Sequence, residues 1–175
     1  MKRELLILRH AKSSWADGSL SDFDRPLKGR GKNDAPKVGR FLIKQGLLPD
    51  LILCSSARRA IQTVQGLINQ LSADRRPTVS YRESLYLADH ESLLAILREV
   101  TPATSRLMLV GHNPGLEDLL QFLLEKPIAP PADGKLLPTA TLAHLDILPD
   151  WNDLDKKTAR LRSITRPKAM ENEPA

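Results

Sequence analysis

The sequence predicts an α/β fold, a three-layer α/β/α sandwich around a mostly parallel central sheet. Three observations carry that prediction. Apolar runs without polar alternation recur along the chain: Leu5-Leu6-Ile7-Leu8, Leu51-Ile52-Leu53-Cys54 and Leu107-Met108-Leu109-Val110. Strands that read this way are buried on both faces. Segments with helical spacing of apolar residues separate them, which is the pattern of strand–helix–strand units. Finally, 175 residues with 41% hydrophobic and 27% charged side chains suit one soluble domain with a sizeable core. We assign that domain to residues 1–166 and expect a polar, frayed tail over 167–175.

Taken in order, the first run ends in Arg9-His10, and Ser13 to Pro26 then has no steady period. A helix over Asn33 to Gln45 puts Val38, Phe41 and Leu42 on one face and stops near Gly46. The second run leads through Ser55 and Ser56, as capping candidates, into a helix over Ala57 to Leu71. Thr78 to Tyr81 is a weaker strand candidate, and Glu91 to Val100 is helical, with Leu93, Leu94, Ile96 and Leu97. The third run ends in Gly111-His112. A helix over Pro114 to Leu124 follows, with Asn113 as its cap and proline at its first position. Lys126 to Pro138 holds four prolines and reads as a loop, and Thr141 to Ile147 is the last, weaker strand.

Composition narrows the function. A net charge of +5 admits an acidic partner. Aromatics at 4% leave few platforms on which bases could stack, and Lys and Arg are spread along the sequence, so nucleic acid is not the expected partner. One cysteine, Cys54, excludes an internal disulfide. The amino terminus lacks the apolar run of a signal peptide and no stretch reaches membrane-spanning length, so a cytoplasmic location without membrane attachment is expected.

In open α/β sheets, ligands bind beyond the carboxyl ends of the strands. Three runs deliver polar groups there: Arg9 and His10, then Arg58 and Arg59 behind Ser55-Ser56, then His112. If those strands are neighbours, two histidines and one or two arginines converge beside two helix amino termini, which favour anions. Fixed positive charge repels a metal cation, so no metal and no cofactor are expected. A phosphate, by contrast, accepts bidentate arginine hydrogen bonds. A neutral histidine there can attack phosphorus and form a phosphohistidine intermediate that water then hydrolyses.

Rival chemistries fail in their own context. A cysteine-based tyrosine phosphatase needs arginine six positions after the cysteine, and six after Cys54 stands Ala60. Asp22 and Asp24 do not follow an apolar strand, and Gly29-Arg30-Gly31-Lys32 lacks the length of a nucleotide-binding loop.

The segments LRHAKSSW, SSARRAIQT and VGHNPG resemble the three signatures of the histidine phosphatase superfamily, with its phosphoglycerate-mutase-like fold. With DFDRPLKGRG and the short length, the chain is most similar to the SixA-type phosphohistidine phosphatases. The resemblance spans Lys2 to about Ile164. It implies His10 as nucleophile, Arg9 and Arg59 as phosphate ligands and His112 as the second histidine on the phosphoryl group. Arg25 resembles a further arginine of the pocket, and Asn113, beside His112, is expected to bind substrate or cap a turn. Larger relatives carry an acidic proton donor; Glu83 and Asp24 are the candidates here. The implied activity is a metal-independent phosphatase acting on phosphohistidine of a signalling or phosphotransfer protein. The alternatives are small phosphate esters, or a module that binds phospho-ligands without turnover.

Overall fold

In the computed structural model, which describes residues 2–172, the apolar runs become the middle of one six-stranded sheet. Its strands are β1 (Arg3–Arg9), β2 (Leu51–Ser55), β3 (Thr78–Arg82), β4 (Arg106–Gly111), β5 (Leu142–Ile147) and β6 (Ala159–Thr165). Their order is β3-β2-β4-β1-β5-β6. Pairing is parallel from β3 to β1 and antiparallel for β1–β5 and β5–β6, so the sheet is mixed with a parallel majority. The carboxyl ends of β2, β4 and β1 therefore lie side by side, with Arg9 in register with Gly111 and Cys54 with Val110.

The five helices are α1 (Gly29–Lys44), α2 (Arg58–Ile68), α3 (His90–Arg98), α4 (Gly115–Leu123) and α5 (Pro167–Met170). Successive strand residues point to opposite faces, which explains why these runs have no polar side. Leu5 and Ile7 of β1 join Leu107 and Leu109 of β4 under α3 and α4. Leu6 and Leu8 join Met108 and Val110 under α1 and α2. All eight are fully buried, and each contributes about 1.5–3 kcal/mol by leaving water.

Several elements differ in detail from expectation. Helix α1 begins a turn before Asn33, where the Lys28 N–H donates to the Lys12 carbonyl at 3.0 Å, and it carries Pro36 inside it. A side chain at Gly31 would overlap the Lys12 carbonyl, so glycine permits that approach. Neither Ser55 nor Ser56 caps α2; Ala57 does, without a side-chain bond. Asn113 does not cap α4 either: Pro114 holds the cap position, after a cis Asn113–Pro114 peptide. Strand β6 has no counterpart in the sequence reading. As an edge strand with Arg160 to Ser163 exposed, it presents no apolar period. The tail expected to fray from Pro167 instead forms α5, with Pro167 and Met170 buried near α1, and residues 173–175 lie outside the described residues. No helix among the described residues is long and apolar enough to cross a membrane.

Candidate active site

His10 sits one residue past β1, 7% exposed, with its backbone N–H donating to the Gly111 carbonyl of β4 at 3.1 Å. Its Nδ1 lies 2.8 Å from the Ala11 carbonyl oxygen. A carbonyl only accepts, so the proton is on Nδ1 and the lone pair is on Nε2. That lone pair receives the Arg59 Nε–H at 3.2 Å. The ring is fixed from behind and presents its unprotonated nitrogen forward.

Arg59 lies at the centre. It enters from the first turn of α2 with 2% exposure. One edge of its guanidinium meets His10, and its Nη2 donates to His112 Nδ1 at 3.2 Å. An arginine cannot accept, so His112 holds its proton on Nε2, which donates to Ser55 Oγ at 2.8 Å. The two imidazole centroids are 5.1 Å apart. Thr63, one turn along α2, receives the Ala11 N–H at 2.9 Å and donates to the Arg59 carbonyl at 2.6 Å. One hydroxyl thus ties the His10 segment to the arginine's helix.

The outer side of Arg59 is held by Asp22, whose Oδ2 accepts from Arg59 Nη2 at 2.9 Å and from the Tyr86 hydroxyl at 2.6 Å. Its Oδ1 accepts from Arg25 Nε at 3.0 Å and Nη2 at 2.7 Å. Arg25 in turn stacks on Trp15, its guanidinium carbon 3.4 Å from the ring centroid. Arg25 is therefore linked to Arg59 through a carboxylate, and the 14–26 loop is anchored over the site by charge-assisted bonds.

Electrostatics keep both imidazoles neutral. Burial lowers His10 to about 3, with further lowering from His112 and Arg59, against a rise from the Ala11 hydrogen bond. Burial, then Arg59, lowers His112 to about 3. Asp22 is held at about 2: hydrogen bonds from Tyr86 and the charge of Arg59 outweigh the opposing effect of burial. Burial lowers Arg9, and Glu117 opposes the shift. Because the folded histidine pKa values lie below the unfolded ~6.5, the unfolded chain binds more protons between about pH 6.5 and 3, so stability falls as pH falls through that window. Asp22, and Glu4, which is held at about 2, add losses in the same direction at lower pH. Thermal unfolding followed from pH 7.5 to 4 should show a falling Tm, and His112→Asn should flatten the fall. A flat profile for the unmodified protein would contradict neutral buried imidazoles.

The structure brings His10, Arg59 and His112 together as expected, and places Arg9 beside them at the end of β1. Arg9 Nη1 donates to the Leu137 carbonyl at 3.0 Å. Asn113 spends its amide Nδ2 on Glu117 at 2.8 Å and on the same Leu137 carbonyl at 3.0 Å, which makes it a fastener of the 137 loop. Arg58 is exposed. Glu83 is exposed at the start of a 3-10 turn, and Asp24 turns back to Ser21 Oγ at 2.5 Å. Sequence reasoning missed Asp22, Tyr86, Ser55 and Thr63 as parts of the site. The Thr63 position lies within the Arg-Ala-x-x-Thr segment, which was the one available signal.

The arrangement sets the guanidinium of Arg59 between two neutral imidazoles, a geometry that can receive an anion. Among the described residues no three His, Cys, Asp or Glu are grouped to hold a metal. A family model for the histidine phosphatase superfamily (branch 1) matches residues 5–87. An uncharacterized chloroplastic protein of Arabidopsis thaliana is 38% identical over 131 residues, which is 70% of this chain but 60% of that protein, so the chain spans less than two thirds of that relative's length. An uncharacterized protein of Mycobacterium tuberculosis is 32% identical over 88% of this chain and 96% of its own. A solved structure from Agrobacterium tumefaciens, provisionally named as the phosphohistidine phosphatase SixA, superimposes with a TM-score of 0.81 at 30% identity, over 95% of this chain and 99% of that one.

Proposed function

The chain belongs to the histidine phosphatase superfamily, and from that premise we propose that His10 Nε2 takes the phosphoryl group of phosphohistidine on a partner protein and passes it to water. The observation that supports this most is the His10 tautomer. Nδ1 carries the proton and gives it to the Ala11 carbonyl, so the unprotonated nitrogen is Nε2, whose lone pair accepts a long 3.2 Å bond from Arg59 that a phosphoryl group can replace.

In the first step the Nε2 lone pair forms the N–P bond while the bond from phosphorus to the leaving nitrogen breaks, and the substrate ring, which carries a proton on its other nitrogen, departs as neutral imidazole. His10 then carries phosphate on Nε2 and its proton on Nδ1, a cation that the Ala11 carbonyl stabilises. Arg59 and Arg9 supply positive charge to the phosphoryl oxygens as charge builds on them. The incoming anion also favours the protonated form of His112, which then donates to it from Nδ1. In the second step water attacks phosphorus, the N–P bond breaks, and orthophosphate and neutral His10 are restored.

Substrate choice follows from what the site lacks as an acid. Asp22 is the carboxylate bonded to Arg59, and at a pKa of about 2 it holds no proton to give near neutrality. An alkoxide leaving without a donor loses about 10²–10⁴ in rate, whereas imidazole, whose conjugate acid titrates near ~6.5, leaves readily. Phosphate release in EDTA should therefore be fast from a phosphohistidine protein and from p-nitrophenyl phosphate. Alkyl phosphates should be at least about a hundredfold slower in kcat/KM, about 2.7 kcal/mol of barrier. Equal kcat/KM for aryl and alkyl esters would point instead to a general phosphatase on small esters, and EDTA inactivation reversed by a divalent ion would overturn the metal-free route.

A further inference from the structure

Folding gathers basic residues that the sequence scatters. A cavity of about 490 Å³ adjoins the site, and its wall includes Arg9 and Lys12 from the His10 segment, Arg30 from α1, Lys135 from the 126–138 loop, and Arg166 and Lys168 from the carboxyl end. One carboxylate, Asp133, faces these six cations. The excess equals the net charge of +5 of the whole chain, so the rest of the surface is close to balanced.

Asp133 is already occupied, with Arg166 on both of its oxygens at 2.6 and 3.0 Å. Among the described residues Lys12, Lys135 and Lys168 form no ion pair, and the buried Nε of Arg9 has no hydrogen-bond partner. The wall is also fastened to the nucleophile. Ala140, next to the lining residues Pro138 and Thr139, donates its N–H to the backbone carbonyls of Arg9 and His10 at 3.0 and 3.2 Å. The cavity and the phosphoryl site therefore share Arg9 and one stretch of backbone.

We propose that this cavity is a second anionic subsite, which receives carboxylate side chains flanking the phosphohistidine of the protein substrate; the proposal rests on the phosphohistidine reading above. Unpaired lysines around a concave wall suit carboxylates, which gain both attraction at contact and faster encounter. The lining includes no aromatic side chain on which a nucleobase or sugar ring could stack. Among the described residues, Pro138 and Pro167 are the only apolar ones in its lining.

The test compares two histidine-phosphorylated peptides, with glutamate or glutamine within about three residues of the phosphohistidine, and p-nitrophenyl phosphate as a substrate without a flank. The unmodified protein should prefer the glutamate peptide at least tenfold in kcat/KM at low ionic strength, with the gap narrowing as salt screens it. The double variant Lys135→Gln/Lys168→Gln should lose most of that preference through KM and keep p-nitrophenyl phosphate hydrolysis within twofold. Equal use of the two peptides by the unmodified protein would overturn the proposal, as would a variant that slows all three substrates alike. Both peptides are also tested as inhibitors of p-nitrophenyl phosphate hydrolysis. If neither turns over while that hydrolysis still needs His10, the phosphohistidine reading has failed; stronger, lysine-dependent inhibition by the glutamate peptide then still supports the cavity's role, and equal inhibition overturns it. Inhibition by methylenediphosphonate that depends on the two lysines, with no discrimination between peptides, would assign the cavity to small bis-anions and overturn the protein source.

Discussion

His10→Ala should lower kcat by at least about 10⁴-fold and remove acid-labile phosphate from the protein during turnover. The size follows from the role proposed for it: a nucleophile that splits one displacement into two has no substitute in its neighbours, and losing such a group typically costs several orders of magnitude. His112 is the nearest other imidazole; its Nδ1 accepts from Arg59 as His10 Nε2 does, but its proton is on Nε2 and given to the Ser55 hydroxyl rather than to a backbone carbonyl. The fold should survive the change. His10 contributes one buried ring at a strand end, while the sheet's interior is held by the apolar pairs of β1 and β4. Circular dichroism and the thermal transition check that point, and rapid quench at alkaline pH followed by an acid-lability assay reads the intermediate. His10→Gly supplied with free imidazole should regain part of the activity, since the cavity left by the ring opens beside Arg59. Acid-labile labelling of His10→Ala at the level of the unmodified protein would place the nucleophile elsewhere, with His112 first to be replaced.

How much of this was legible in the sequence depended on whether a residue's role is local. The core strands were readable because burial on both faces removes polar alternation, as in Leu5 to Leu8. The convergence of His10, Arg59 and His112 followed from three strand ends and needed only that the strands be neighbours. Strand β6 was not readable, because an edge strand with a solvated face shows no period. Nor was Asp22, whose importance comes from residues 37 and 64 positions away, Arg59 and Tyr86. The basic residues gave the same difficulty in reverse: Lys and Arg are spread along the sequence, and only the fold places Lys12, Lys135 and Lys168 around one cavity.

The second large effect belongs to Arg59. Arg59→Lys should lower kcat by about 10²–10³-fold, the typical cost of removing one prearranged donor to developing charge, and Arg59→Ala should lower it further. Lysine keeps the charge but offers it from one atom, whereas this guanidinium reaches His10 through Nε, His112 through Nη2 and Asp22 through Nη1 and Nη2. A single ammonium cannot hold both imidazoles and a phosphoryl group in one plane, so the loss should fall on kcat more than on KM. The contacts of Asp22 bear on how Arg59 meets an anion. Asp22 neutralises Arg59 and Arg25 before substrate arrives, so a phosphoryl group must draw Arg59 away from a carboxylate that already accepts its hydrogen bond. Asp22→Asn removes the competing charge and, because an amide nitrogen cannot accept, leaves acceptance on one side only; it should tighten competitive inhibition by orthophosphate with a smaller change in kcat than Arg59→Lys causes. The two substitutions should therefore move orthophosphate inhibition in opposite directions. If Arg59→Lys retains kcat within threefold, the guanidinium is a structural strut between α2 and the 14–26 loop, and the transition-state charge is carried by Arg9 and His112 instead.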